Sequence, residues 1–217
     1  MQVINLSTQS SLLQQYVNEL RDVNIQKDRM RFRKNIERIG QIMAYEISKK
    51  LEWKTVETTT PLGTHQSQQL AEQPVLATIL RAGLSMHHGI LSFFDEADCA
   101  FISAYRKHHD EHNFDIVVEY LASPDISNRV VLLIDPMLAT GQSIDLTYQA
   151  LLRYGTPKQL HVVSLIASKP GVDYLKPRLQ GATLWLAAID DHLNEHGYIV
   201  PGLGDAGDLS FGEKMER

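Results

Sequence analysis

The stretch of the chain with most chemistry in it runs from an apolar segment, RVVLLI at 129–134, through Asp135 and a loop of small residues into an amphipathic run. Ala139-Thr140-Gly141-Gln142-Ser143 forms a turn whose backbone amides can approach an anion such as a phosphate, and the start of a following helix adds positive potential there. Thr140 and Ser143 bring hydroxyl donors, and Asp135 at the tip of a strand is placed to accept hydrogen bonds from sugar hydroxyls. No lysine follows Gly141, so this is not the nucleotide-triphosphate loop GxxxxGK[ST]. A tight strand-to-helix turn without a ligand is the alternative.

Two arginines could neutralise a polyanion. Arg81 directly follows the apolar run at 74–80, and Arg106 opens the polar segment RKHHDEHN. A guanidinium pairs two oxygens at once and stays charged at any working pH. A structural salt bridge is the alternative for Arg81, and simple solvation for Arg106. The segment 197–212, GYIVPGLGDAGDLSFG, carries Gly197, Gly202, Gly204 and Gly207 around Pro201. That composition predicts neither regular helix nor strand, but a loop with exposed backbone donors and acceptors. A surface loop without function is its alternative.

Three other groups carry less. His108, His109 and His112 lie close together in a polar segment without accompanying carboxylates in a ligand pattern, and read as a solvated loop rather than a metal site. Asp190-Asp191 follows a strand end, but adjacent side chains point apart, so a helix cap or surface role is expected. Cys99, the only cysteine, sits in an apolar run and reads as a buried, inert thiol.

The elements that must hold these residues follow from periodicity. Residues 10–51 read as helical, with Phe32, Ile36, Ile39, Met43 and Ile47 on one stripe that either covers a core or meets a second subunit. Arg29, Arg31, Arg33, Lys34 and Arg38 make this arm locally basic, as a solvated face, a subunit contact or an effector-anion site. Strands are expected at 74–80, 99–105, 114–121, 129–134, 161–167 and 183–189. Helices are expected from 83 to about 94, at 143–154 and at 172–179. The alternation predicts βαβ units and one α/β domain over 1–217, a helical arm at 1–52 followed by a core at 74–212. Strands 99–105 and 114–121 flank a projecting loop or hairpin.

Composition narrows the function classes. The 217 residues suffice for one sizeable core, and a net charge of −5 argues against non-specific nucleic-acid binding. No apolar run approaches the roughly 18 to 20 residues of a membrane span. No basic residue precedes Arg21 and no signal-type apolar region opens the chain, so a cytoplasmic location is expected, in keeping with the single cysteine.

The motif DPMLATGQS resembles the binding motif for phosphoribosyl pyrophosphate (PRPP) of the phosphoribosyltransferases, in the form DPMLATGGS typical of the uracil phosphoribosyltransferase family. TILRAGLSM is similar to that family's pyrophosphate-binding turn, AYRKH places Arg106 at its second PRPP-binding arginine, and 197–212 is close to its uracil-binding segment. Weaker similarity extends into the arm at MRFRKNIERIGQIMAYE. The resemblance implies a phosphoribosyltransferase-type fold, a mainly parallel central sheet flanked by helices with a β-hairpin hood. It implies a pentosyltransferase that joins uracil to PRPP, giving UMP and pyrophosphate in pyrimidine salvage.

On the resemblance, PRPP meets Arg81, Arg106, Asp135, Pro136, Met137, Leu138, Ala139, Thr140, Gly141, Gln142, Ser143 and Asp205. Uracil meets Ile199, Gly204, Asp205 and Ala206, with Arg81, Arg106, Asp135 and Asp205 as the catalytic set. Backbone donors and acceptors in a glycine-rich loop suit a planar base with alternating carbonyl and N–H groups. Mg²⁺ is expected, held mainly through PRPP oxygens rather than by a protein metal site. A homodimer or higher homo-oligomer and GTP as a candidate activator also follow from the resemblance, with no nucleic acid or membrane as partner. An RNA-binding regulator on the same fold should have a strongly basic face, and a non-catalytic relative should have lost Asp135, Arg81 or the loop glycines. Two departures stand out: Gln142 replaces the second glycine of the phosphate loop, and 107–114 is rich in histidine where an acidic stretch is the family pattern.

Overall fold

The computed structural model describes residues 1–108 and 114–215, and for 104–108 and 114–118 the backbone alone. In chain order the elements are β1 (Gln2–Asn5), α1 (Leu12–Arg21), α2 (Arg29–Ser48), β2 (Trp53–Thr60), β3 (Gly63–Leu70), β4 (Val75–Leu80) and α3 (Gly83–Leu91). Then come β5 (Asp98–His108), β6 (Phe114–Ala122), β7 (Val130–Ile134), β8 (Met137–Leu138), α4 (Gln142–Leu151) and β9 (Gln159–Ser168). The chain continues with α5 (Lys169–Leu175), β10 (Thr183–Asp190), β11 (His192–Leu193), β12 (Ile199–Val200) and α6 (Ala206–Phe211).

The main sheet runs β1-β10-β9-β7-β4-β5-β6, with β8 added beside β9. Its pairings are parallel except β5 with β6, which form an antiparallel hairpin with a register shift between Ser103 and Ala104. Parallel strands in such a sheet need apolar residues on both faces, and β7 shows it: all of VVLLI is buried. Leu132 and Ile134 face one core with Trp185, Met43 and Met86, whereas Val131 and Leu133 face a second with Ile144 and Leu175. Helices α1, α2 and α3 cover the first face and α4 and α5 the second, giving three layers.

The stripe on α2 resolves in favour of the core, since Phe32, Ile36, Ile39, Met43 and Ile47 are all fully buried against the sheet. The expected continuous helix over 10–51 is instead two helices. Between them Asp22 accepts from the Asn24 N–H and Asp28 caps α2 by accepting from the Arg31 N–H, so acidic side chains take backbone donors that a continuous helix would use. Helix α5 starts and ends earlier than expected, because Ser168 caps it by accepting from the Gly171 N–H. Several elements had no counterpart in the sequence reading, among them β1 and the pair β2 and β3. The edge strand β1 lies parallel to β10, and β2 with β3 forms an exposed hairpin in register from Trp53–Leu70 to Thr60–Gly63.

Candidate active site

Strand β7 ends at the centre of the sheet, where ligands of open α/β folds bind beyond the carboxyl ends of the strands. Asp135, buried at that tip, accepts from the Met137 N–H at 3.2 Å. The next residues are tied to β9: Pro136 O accepts from the Leu165 and Ile166 N–H groups at 3.0 Å each, and Met137 and Leu138 pair with Ile166 and Ala167. Ser168 Oγ donates to Ala139 O at 2.6 Å while accepting from the Gly171 N–H at 2.9 Å, so one hydroxyl joins the loop to the start of α5. Gly141 is left-handed at φ 82° and stands at the N-cap of α4. A methyl group on it would also come within 3.0 Å of Gly171 O and of Tyr174 Cδ1. Gln142 then opens α4, and its N–H donates to Thr140 Oγ1 at 3.4 Å, a long bond at the helix start where an anion would compete for it. Asp135, Met137, Leu138, Ala139, Thr140, Gly141, Ser143 and Ile144 line one small cavity.

Arg81 lies in the turn between β4 and α3, and this turn touches both loops singled out by sequence. A methyl on Gly83 would lie 3.3 Å from Ile134 O and 3.9 Å from Pro136 Cδ, which places the turn against the tip of β7. A methyl on Gly207 would lie 3.8 Å from Arg81 Nη2 and 4.0 Å from the Ala82 nitrogen, which places the same turn against the 197–212 segment. The Arg81 guanidinium pairs with Asp208 at 2.7 Å and donates to Gly212 O at 3.2 Å. Behind it, His87 Nδ1 and Thr78 Oγ1 are 2.8 Å apart, and burial pulls the histidine pKa down to about 4, so the ring is neutral.

The 197–212 segment is more regular than its glycines suggested. Strand β12 pairs antiparallel with β11, and residues 206–211 form the short helix α6. Helix starts here because Asp205 caps it, its Oδ1 accepting from the Asp208 N–H at 2.9 Å. Lys214 donates to Asp205 Oδ2 at 3.2 Å. Burial pushes the Asp205 carboxyl up, but the Asp208 N–H and the Lys214 ammonium outweigh it and hold it below the usual carboxylate range. At the other end of α6, Arg33 donates to Ser210 O at 2.7 Å. Ile199 and Ala206 are buried and Gly204 is exposed.

Asp135, the 139–143 loop, Arg81 and Asp205 with its flanking loop therefore converge beyond the sheet. The backbone of Arg106 pairs with Ile116, but its side chain and that of His108 lie outside the described residues, as do His109 and His112 altogether. Asp190 departs from expectation. It is neither a cap nor a surface residue, but is buried and gripped by Arg21 at 2.7 Å. Only Asp191 is exposed, and it pairs with Lys169. Cys99 is half-buried rather than fully buried, and burial raises its pKa, in keeping with an unreactive thiol. The basic arm is largely engaged within the chain: Arg31 with Glu19, Lys34 with Glu37, Arg33 with α6, and Arg38 over the ring of Tyr16 at 5.3 Å. Sequence reasoning missed Ser168 and Asp208, and it named Arg33 in the basic arm without its contact to α6. Asp208 was within reach, because an aspartate pair at i and i+3 is a helix-start pattern.

A family model described as uracil phosphoribosyltransferase matches residues 7–213. A uracil phosphoribosyltransferase of Porphyromonas gingivalis is 56% identical over 99% of this chain and 100% of its own length. One from Methanothermobacter thermautotrophicus is 38% identical over 85% of each chain. A solved structure of a protein from Aquifex aeolicus superposes with a TM-score of 0.87 at 28% identity, covering 97% of this chain and 98% of its own.

Proposed function

The chain belongs to the uracil phosphoribosyltransferase family, and from that premise we infer that it transfers the phosphoribosyl group of PRPP to uracil, releasing pyrophosphate and forming UMP. The observation that supports this most is the double contact of the Arg81 turn, with the tip of β7 on one side and the 205–208 loop on the other. A phosphate-type loop and a base-type loop thereby share one site.

The roles follow from position. Backbone amides and hydroxyls of 139–143, with 136–138 anchored to β9, hold the 5′-phosphate. The buried Asp135 carboxylate accepts from ribose hydroxyls. Arg81 and Arg106 neutralise the departing pyrophosphate, and Arg81 exchanges its Asp208 contact for a pyrophosphate oxygen when PRPP arrives. Ile199, Gly204, Asp205 and Ala206 surround uracil, with selection made by paired backbone groups rather than by size.

Among the described residues no group of three or more His, Cys, Asp or Glu could hold a metal ion. Mg²⁺ is carried mainly on PRPP oxygens, with Asp205 near PRPP or its metal. Bound there, magnesium offsets charge on the leaving group. On this reading the enzyme works in the cytoplasm, where a lone thiol stays reduced, and as a homo-oligomer. GTP is the candidate activator.

The test is UMP formation from uracil and fresh PRPP, with Mg²⁺ and with the metal chelated. UMP is expected only in the first case. An undiminished rate under chelation overturns the metal role, and a sedimentation experiment showing a monomer overturns the assembly.

A further inference from the structure

We propose that Arg21, Asp190 and Gln26 are positioning residues that hold the main chain of the uracil loop from the side away from PRPP. The proposal rests on residues 199–206 being that loop. Arg21 ends α1 and Asp190 ends β10. Their pairing is fork to fork, Arg21 Nη1 to Asp190 Oδ2 and Nη2 to Oδ1, both at 2.7 Å. Each partner then spends a further bond on the same residue: Asp190 Oδ2 accepts from the Gly202 N–H at 2.9 Å, and Arg21 Nη1 donates to Gly202 O at 2.9 Å. One residue later, Gln26 Nε2 donates to Leu203 O at 3.1 Å, and to Leu20 O at 2.8 Å.

Gly202 is the point where this grip matters most. Its φ is 56°, and a methyl on it would come 2.1 Å from Ile199 O, so the chain doubles back tightly there. Fixing Gly202 and Leu203 fixes Ile199 on one side and Gly204, Asp205 and Ala206 on the other. A purely structural ion pair would need only its two charged groups. Here the pair is built around one peptide of the loop, while the 139–143 loop is anchored separately, to β9 and α5. Disturbing the clamp should therefore weaken uracil binding and spare PRPP binding.

Steady-state kinetics on Arg21→Gln, Arg21→Lys, Asp190→Asn and Gln26→Leu test this. Arg21→Gln and Asp190→Asn should raise KM for uracil about tenfold or more, with KM for PRPP nearly unchanged, as expected for loop misplacement. Arg21→Lys should recover part of the loss. Gln26→Leu removes no charge and breaks a single loop contact, so it should fold even if the ion-pair variants do not, and should raise KM for uracil about threefold. Equal rises in both Michaelis constants, or an unchanged KM for uracil in a folded Gln26→Leu protein, overturn the clamp. Ala206→Leu, run in parallel, separates the two levels. If it leaves uracil binding intact, the loop assignment falls and the clamp with it; if it abolishes uracil binding while the clamp variants behave as wild type, the clamp alone falls.

Discussion

Gln142 stands where a second glycine would complete the family's phosphate loop, and its backbone shows why the replacement is tolerated. The left-handed position is Gly141, at φ 82°, whereas Gln142 is an ordinary first helical residue. Gln142→Gly is therefore expected to change KM for PRPP by less than about tenfold, roughly 1.4 kcal/mol. Gly141→Val should be far worse, because it combines left-handed strain with collision against Gly171 O and Tyr174. If Gln142→Gly loses PRPP affinity as heavily as Gly141→Val, the glutamine side chain itself holds the ligand. Arg81→Ala and Asp135→Asn should each lower kcat/KM by about two to three orders of magnitude, or 2 to 4 kcal/mol, with melting temperature little changed. Wild-type kinetics for either variant would remove that residue from the site. Asp135, Thr140 and Gly141 were legible because strand, loop and helix start are consecutive in sequence. Asp190 was not, since its partners Arg21 and Gly202 lie in other elements and only folding brings them together.

Element by element, legibility followed burial. The strands of the sheet centre announce themselves as apolar runs, and every residue of the α2 stripe lies on its buried face, which also holds Asn35, Gly40 and Ala44. The β2–β3 hairpin was missed because almost all of it is exposed, so no apolar alternation marks it; the β-branched run Thr58-Thr59-Thr60 before Gly63 was the available signal. Helix α6, at six residues, is too short to hold by itself and depends on the Asp205 cap and on Arg33 at its far end. Helix α3, which follows directly on Arg81, is set by close packing on α2. A methyl on Gly89 would come 2.0 Å from Glu37 O, so Gly89→Ala must push the helices apart. It should cost about 1 to 3 kcal/mol, measured by chemical denaturation, and unchanged stability would show that the helices separate freely.

At the scale of the whole molecule, two buried histidines tie stability to pH. His87 and His161 are both held down to about 4 from 6.5 by burial, His161 also accepting from the Trp185 indole N–H at 2.9 Å. Between those values the unfolded chain binds protons that the native chain does not, so stability is fully present above pH 6.5 and falls as pH drops toward 4. Each histidine contributes a slope of up to about 1.4 kcal/mol per pH unit. Denaturation midpoints at pH 7 and pH 5 check this, and a flat profile would mean that the rings charge without leaving the core. The central claim concerns the reaction itself, and product analysis after mixing the protein with uracil, fresh PRPP and Mg²⁺ tests it most directly. UMP and pyrophosphate should appear in equal amounts. Cytosine, with a donor where uracil has an acceptor, should react about four orders of magnitude more slowly. Absence of UMP under these conditions, or comparable turnover of cytosine, would contradict the account.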